Sequence, residues 1–136
     1  MGMNRVSTIA AATRSRLVTV RSNAPLREAA QLLSSTQISL LVVCDPDGTM
    51  IGVITKSDIV MQIGLCPGIT CTNTVDSVMR RDVIACRSSD PLSDVSSMMQ
   101  ARGLVHVPVI DAEGKPSGVV NARDALRELM LEGQYE

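Results

Sequence analysis

The chain repeats itself at an offset of 66 residues, and no other feature limits its possible folds so tightly. With no gap, thirteen identities join residues 8–65 to 74–131: Thr8/Thr74, Arg14/Arg80, Arg21/Arg87, Ser22/Ser88, Pro25/Pro91, Leu26/Leu92, Val43/Val109, Asp45/Asp111, Gly48/Gly114, Gly52/Gly118, Val53/Val119, Asp58/Asp124 and Leu65/Leu131. Unrelated segments of ordinary composition would share roughly three or four. Conservative pairs such as Glu28/Asp94, Leu33/Met99, Ile38/Leu104, Asp47/Glu113 and Ile54/Val120 extend the match. A tandem duplication predicts two equivalent halves. A half of about 60 residues buries too little surface to be stable alone, so the halves are expected to pack together.

Each half reads as helix, strand, helix, strand, strand, helix. Thr8 and Thr74 stand before short helices, Ile9 to Thr13 and Val75 to Met79. The apolar runs Leu17–Val20 and Val83–Cys86 have strand length. Asp90-Pro91 predicts an N-cap and a first helical proline; Ala24-Pro25 is the poorer copy. Leu26, Ala29, Ala30 and Leu33 then fall at helical spacing, as do Leu92, Val95 and Met99, which places them in the core. Residues 38–43 and 104–109 are second strands, with Pro108 expected at an edge or bulge. Asp45-Pro46-Asp47-Gly48 and Asp111-Ala112-Glu113-Gly114 are turns. Third strands run through Gly52 and Gly118 into final helices, 57–65 and 123–132, with Leu126, Leu129 and Met130 expected to face the core. Cys66-Pro67-Gly68 breaks the chain between the halves.

The junction of third strand and final helix carries the most chemistry. In Gly52-Val53-Ile54-Thr55-Lys56-Ser57-Asp58, Gly52 permits close backbone approach, and Thr55 with Asp58 fits a capping box. A helix N-terminus also gathers unpaired N–H groups and partial positive charge, a ready site for an anion. A carboxylate one turn in can accept sugar hydroxyls. Two readings therefore stand side by side, a plain cap and a nucleotide site. The second copy, Gly118 to Asp124, strengthens the latter.

Composition removes several function classes. The net charge is −1 with Lys and Arg scattered, which argues against a nucleic-acid footprint. One Tyr and no Phe or Trp leave nothing to stack single-stranded bases, so a bound purine would lie between aliphatic chains. The first thirty residues hold no long apolar run, and residues 38–44 are too few to span a bilayer. A cytoplasmic protein with no membrane partner is expected, its four cysteines free thiols rather than a disulfide frame. Cys66 and Cys71, five positions apart, lack the C-x-x-C spacing of a redox motif, and no set of four metal ligands is in view.

The duplicated pattern resembles the CBS-domain pair. Val78-Met79-Arg80-Arg81-Asp82-Val83 is similar to the family's opening, and Pro91-Leu92-Ser93-Asp94-Val95 to its first long helix. Gly103 to Asp111 looks like its hydrophobic strand and turn, and Gly52 to Asp58 fits its Gly-apolar-apolar-Ser/Thr-x-x-Asp signature. The resemblance covers residues 8 to 132. It implies a mixed α/β (α+β) fold of two β-α-β-β-α repeats, residues 8–66 and 74–132 joined by a linker at 67–73. It further implies a pseudo-twofold axis, packing through the sheets, and clefts that bind adenosyl nucleotides such as AMP, ADP or ATP, sometimes S-adenosylmethionine.

By the same resemblance Asp58 holds ribose hydroxyls while Thr55 and Ser57 face phosphate or ribose. At the second site Asn121 replaces the hydroxyl residue, Arg123 offers a cation and Asp124 keeps the ribose group. Leu17, Val18 and Thr19, with Val83, Ile84 and Ala85, would form purine walls. His106, the single histidine, stands where the family often carries a base reaching toward phosphate. Arg14 and Arg80 either touch phosphate or pair at a surface. The resemblance implies a homodimer that senses a nucleotide and acts on an unknown regulated protein, with no catalytic residue, no metal and no required cofactor. A ligand-free assembly module is the alternative, and a thiol redox switch on Cys66 and Cys71 a weaker one.

Overall fold

The structure, a computed structural model, describes residues 4–65 and 73–131. The chain falls into two compact units, Val18–Val83 and the pair Met1–Leu17 with Ile84–Glu136. The unit boundaries cut across the sequence repeat. The short helix that opens each repeat leaves its own copy: α1 (Ala10–Ser15), after a 3₁₀ turn at Val6–Ile9, lies with the second copy's strands, and α4 (Val75–Val78) with the first copy's.

In the Val18–Val83 unit, β1 (Thr19–Arg21) and β2 (Leu40–Cys44) pair in parallel, and β3 (Met50–Thr55) runs antiparallel to β2. A parallel pair needs a crossover, supplied by α2 (Leu26–Ser35). Leu26, Ala29 and Leu33 of α2 are buried against Leu41, Val43, Ile54 and Ile59. The central strand is buried from Leu40 to Val43, so its side chains are apolar without alternation. α3 (Lys56–Leu65) follows β3 directly, and Val75 with Met79 completes the core.

The other unit has α5 (Leu92–Arg102), β4 (His106–Ile110), β5 (Pro116–Asn121) and α6 (Ala122–Leu131). Leu92, Val95 and Met99 pack with Val107, Val109, Val120 and Ala125, and the opening turn adds Val6 and Ile9. The hairpin turns repeat as expected. Asp45 Oδ1 accepts the N–H groups of Asp47 and Thr49, and Asp111 Oδ1 those of Glu113 and Lys115. Gly48 and Gly114 take φ of 88° and 81°.

The expected strand at Val83–Cys86 is the main correction. Only Cys86 joins the sheet, as an isolated parallel bridge to Val109. The reason lies in Pro108. In the first copy Val42 N–H donates to Val18 C=O, 3.0 Å, and extends the ladder. Pro108 occupies the matching place and has no N–H, so the ladder stops at the Cys86 bonds to Pro108 C=O and from Ile110 N–H, both 2.9 Å. The proline sits inside β4, facing the side where pairing ends, rather than at the bulge between Val109 and Ile110.

Three smaller expectations also change. β1 begins at Thr19, so Leu17 and Val18 precede it. Asp90 does not cap α5; its carboxylate accepts Arg87 N–H at 2.9 Å, and Pro91 takes the N-cap place with an extended ψ of 131°. Leu126 and Met130 are exposed, and Ala125 fills the core, while Leu129 packs at its margin. Among the described residues no helix is long and apolar enough to cross a membrane.

Candidate functional site

The exchange of opening helices builds both candidate sites. In the Val18–Val83 unit, Gly52 lets the segment after α4 come close enough for Val53 and Arg80 to trade backbone hydrogen bonds, at 3.0 and 2.8 Å. That pairing delivers the Arg80 side chain to Asp58. The capping box is real: Asp58 N–H donates to Thr55 Oγ1 at 3.2 Å, and Thr55 N–H donates to Asp58 Oδ2 at 3.0 Å. Arg80 Nε donates to both carboxylate oxygens at 3.1 Å, and Nη2 to Oδ1 at 2.9 Å. The Asp58 side chain is 13 % exposed and that of Arg80 64 %, a held carboxylate under a solvated cation. Partial burial pulls the Asp58 carboxyl upward, but Arg80 and Thr55 outweigh it and hold the group below the ordinary carboxylate range.

The second copy is built differently. Arg80's repeat equivalent is Arg14, yet Asp124 is held by Arg16, with Nη2 at 3.1 Å from Oδ1 and Nε bonded to Oδ2. Arg16 was absent from the sequence candidates because the repeat offset sets it against Asp82, which hides its role. Asn121 takes the cap: its Oδ1 accepts Arg123 N–H at 2.8 Å. This fixes the amide, so Nδ2 is the atom 3.1 Å from His106 Nε2. His106 must accept that bond, which makes it neutral with its proton on Nδ1.

Burial and the nearby Arg16 cation depress the His106 pKa, and Asp124 opposes them. A histidine held neutral in the fold contributes stability above its unfolded value near 6.5 and loses it as pH falls through the folded value. Because His106 is the single histidine, its ring signals in an NMR titration need no assignment. The expected result is an Nδ1–H tautomer titrating below 6.5, with lower urea resistance at pH 5.5 than at pH 7.5. An Nε2–H tautomer would contradict the assigned hydrogen bond.

The other predicted residues sit as follows. Ser57 and Arg123 are exposed at the starts of α3 and α6. Val18 is half-buried against the first core, and Thr19 is exposed on β1. Leu17 lies in the turn after α1, its N–H on Arg14 C=O. Val83, Ile84 and Ala85 are half-buried and outside any strand. Thr19 and Ala85 line matched surface depressions of 610 and 210 Å³ beside Pro25 and Pro91, and neither depression is lined by Asp58 or Asp124.

Cys44 and Cys86 are free thiols. Burial, aided by Asp90, pushes Cys86 up to about 12, which leaves it a poor nucleophile. Cys66 and Cys71 lie outside the described residues. Among the described residues, no group of three or more His, Cys, Asp or Glu is placed to hold a metal ion.

The CBS domain family model matches residues 6–64 and 75–131, and the chain belongs to that family, with two CBS repeats. L-aspartate semialdehyde sulfurtransferase of Methanocaldococcus jannaschii is 29 % identical over 110 residues, 81 % of this chain but 21 % of that protein. An uncharacterized 17.7 kDa protein of Acidianus ambivalens is 30 % identical over 111 residues, 82 % of this chain and 66 % of that one. The chain thus spans about a fifth of the first relative's length and 66 % of the second's.

Among solved structures, the CBS domain pair of protein MJ0100, in complex with 5′-methylthioadenosine and S-adenosyl-L-methionine, matches with a TM-score of 0.77 at 27 % identity. The match covers 98 % of this chain and 99 % of that one. CBSX2 in complex with AMP matches with a TM-score of 0.79 over 96 % and 99 % of the two chains; at 21 % identity that likeness shows the fold alone.

Proposed function

We propose that the chain is a regulatory module that binds an adenosyl compound and passes the binding event to a partner protein, without catalysis of its own. The observation that carries this reading is the repeated carboxylate, Asp58 and Asp124. Each stands one turn into a helix that leaves a buried strand, and each is held by an arginine from the other repeat's opening segment. A carboxylate fixed at a helix N-terminus suits a ribose diol, and the N–H groups beside it suit an anion. Thr55 and Ser57 would face phosphate at the first site, with Arg123 and His106 at the second. Leu17, Val18 and Thr19, and Val83, Ile84 and Ala85, would supply apolar walls for the purine. The MJ0100 domain pair, crystallised with two adenosyl compounds, supports the ligand class.

A ligand shifts a conformational equilibrium only through unequal affinity for its states, so the arginine–carboxylate pairs are the natural elements to be rearranged. The enzyme names among the relatives belong to proteins of which this chain spans about a fifth, which fits a sensing module appended to separate catalytic domains. Exposed apolar side chains on α3 (Val60, Met61, Ile63, Leu65) and α6 (Leu126, Met130) support a homodimer as well. Sedimentation should give a dimer for the native chain and a monomer for Met61→Glu with Leu126→Glu; a monomeric native chain would remove the dimer from the account.

The ligand reading is tested by thermal unfolding with S-adenosylmethionine, methylthioadenosine, AMP, ADP and ATP. A ligand at a hundred times its Kd should add about 2.7 kcal/mol. No shift from any of the five would overturn the reading in favour of a ligand-free assembly module.

A further inference from the structure

The two carboxylates differ in how much hydrogen-bonding capacity remains to them. An ionised carboxylate has about four acceptor positions. At Asp58 three N–H groups occupy it, Arg80 Nε shared between both oxygens, Arg80 Nη2 on Oδ1 and Thr55 N–H on Oδ2, which leaves about one position where a diol needs two. At Asp124, Arg16 takes one position on each oxygen, and Asn121 has assumed the cap, so each oxygen keeps one position open.

We propose that the two sites therefore select adenosyl ligands of different charge: the Asp58 site takes anionic nucleotides, and the Asp124 site also takes uncharged nucleosides. This rests on the adenosyl-binding reading above. At Asp58 a ribose diol enters only when the Arg80 guanidinium leaves. That group never loses its charge and is largely solvated, so it can swing, and a ligand phosphate gives it a new partner. The diol and the phosphate exchange partners with the ion pair: carboxylate to hydroxyls, guanidinium to phosphate. A neutral nucleoside displaces Arg80 and returns nothing. An ion pair whose arginine is solvated is worth only up to about fivefold in affinity, so the exchange is easy for a nucleotide and a modest barrier for a nucleoside. At Asp124 the diol binds beside Arg16 without displacing it, and the neutral ring of His106 and the exposed Arg123 can meet a phosphate without requiring one.

The test is calorimetry with AMP and adenosine on Asp124→Ala, which reads the Asp58 site, and on Asp58→Ala, which reads the Asp124 site. On Asp124→Ala, AMP should bind about tenfold more tightly than adenosine. Adding Arg80→Gln should weaken AMP about tenfold and strengthen adenosine up to about fivefold, changes of opposite sign. On Asp58→Ala the two ligands should lie within about threefold of each other. Should either alanine variant fail to fold, the asparagine variants, which keep the side-chain volume, take its place. Equal selectivity at both sites, or an Arg80→Gln effect of the same sign on both ligands, overturns the exchange while leaving adenosyl binding intact. No heat from either ligand on the native chain overturns the adenosyl reading itself, and the exchange with it.

Discussion

Gly118→Ala is expected to destabilise the unit built on β4 and β5 by about 3 kcal/mol. A Cβ at position 118 would lie 2.5 Å from Thr13 Oγ1, 2.7 Å from Thr13 Cβ and 2.9 Å from the Thr13 carbonyl carbon. Rotating the threonine does not relieve this, because its Cβ and backbone are struck as well as its hydroxyl. The hydroxyl is also committed, donating to Ala10 C=O at 3.0 Å. Helix α1 must move as a body, and Val6 and Ile9 belong to the same core. Gly52→Ala meets Arg80 C=O at 2.6 Å and Met79 Sδ at 2.8 Å. Met79 can turn aside; the carbonyl is bonded to Val53 N–H and cannot. Thermal unfolding should fall by about 10 °C for Gly118→Ala and somewhat less for Gly52→Ala. A change of under 2 °C for Gly118→Ala would show that α1 is not seated on β5 as described. Because the close approach at Gly52 carries Arg80 to Asp58, Gly52→Ala should also weaken any ligand that uses that pair.

Much of this was legible in the repeat. Helix spacing identified Leu26, Ala29 and Leu33 and their partners Leu92, Val95 and Met99 as core, and all six are buried. The Asp45 and Asp111 turns followed from residues whose side chains bond their own backbone. The Thr55–Asp58 capping box was readable from spacing alone. The exchange of opening helices was not. Two copies of one pattern offer two equivalent docking surfaces, and local sequence cannot say whose helix lies on whose strand. The Arg16–Asp124 pair was hidden because the repeat sets Arg14, not Arg16, against Arg80, the residue that holds Asp58. The lost first strand of the second copy was visible only in hindsight: Pro108 reads as an edge residue, but which neighbour loses its bond depends on strand order. Leu126 and Met130 were misplaced because helical spacing marks an apolar face without saying whether the chain itself covers it.

Removing both carboxylates, Asp58→Ala with Asp124→Ala, is expected to abolish adenosyl binding, and either change alone to remove one class of site. Hydrogen bonds to a charged group contribute about 1.5–3 kcal/mol each, so losing one carboxylate should weaken its site by about a hundredfold. The stability effect should be small. Asp58→Ala keeps the Thr55 cap and loses only the return bond of the capping box, with an ion pair whose arginine is already solvated. Asp124→Ala leaves the Asn121 cap in place. Asp58 is the carboxyl held below the ordinary range, so its share of stability is present above the unfolded carboxylate value and lost as pH falls below it. Urea unfolding of the native chain should therefore lose resistance toward pH 3 by more than Asp58→Ala does.

The proposed function stands or falls on calorimetric titration of the native chain and of the double variant with S-adenosylmethionine and AMP. The expected result is saturable heat from at least one ligand on the native chain and none on a double variant whose unfolding temperature shows it folded. Saturable binding that survives both substitutions would contradict the assignment of Asp58 and Asp124 as the ribose-holding groups.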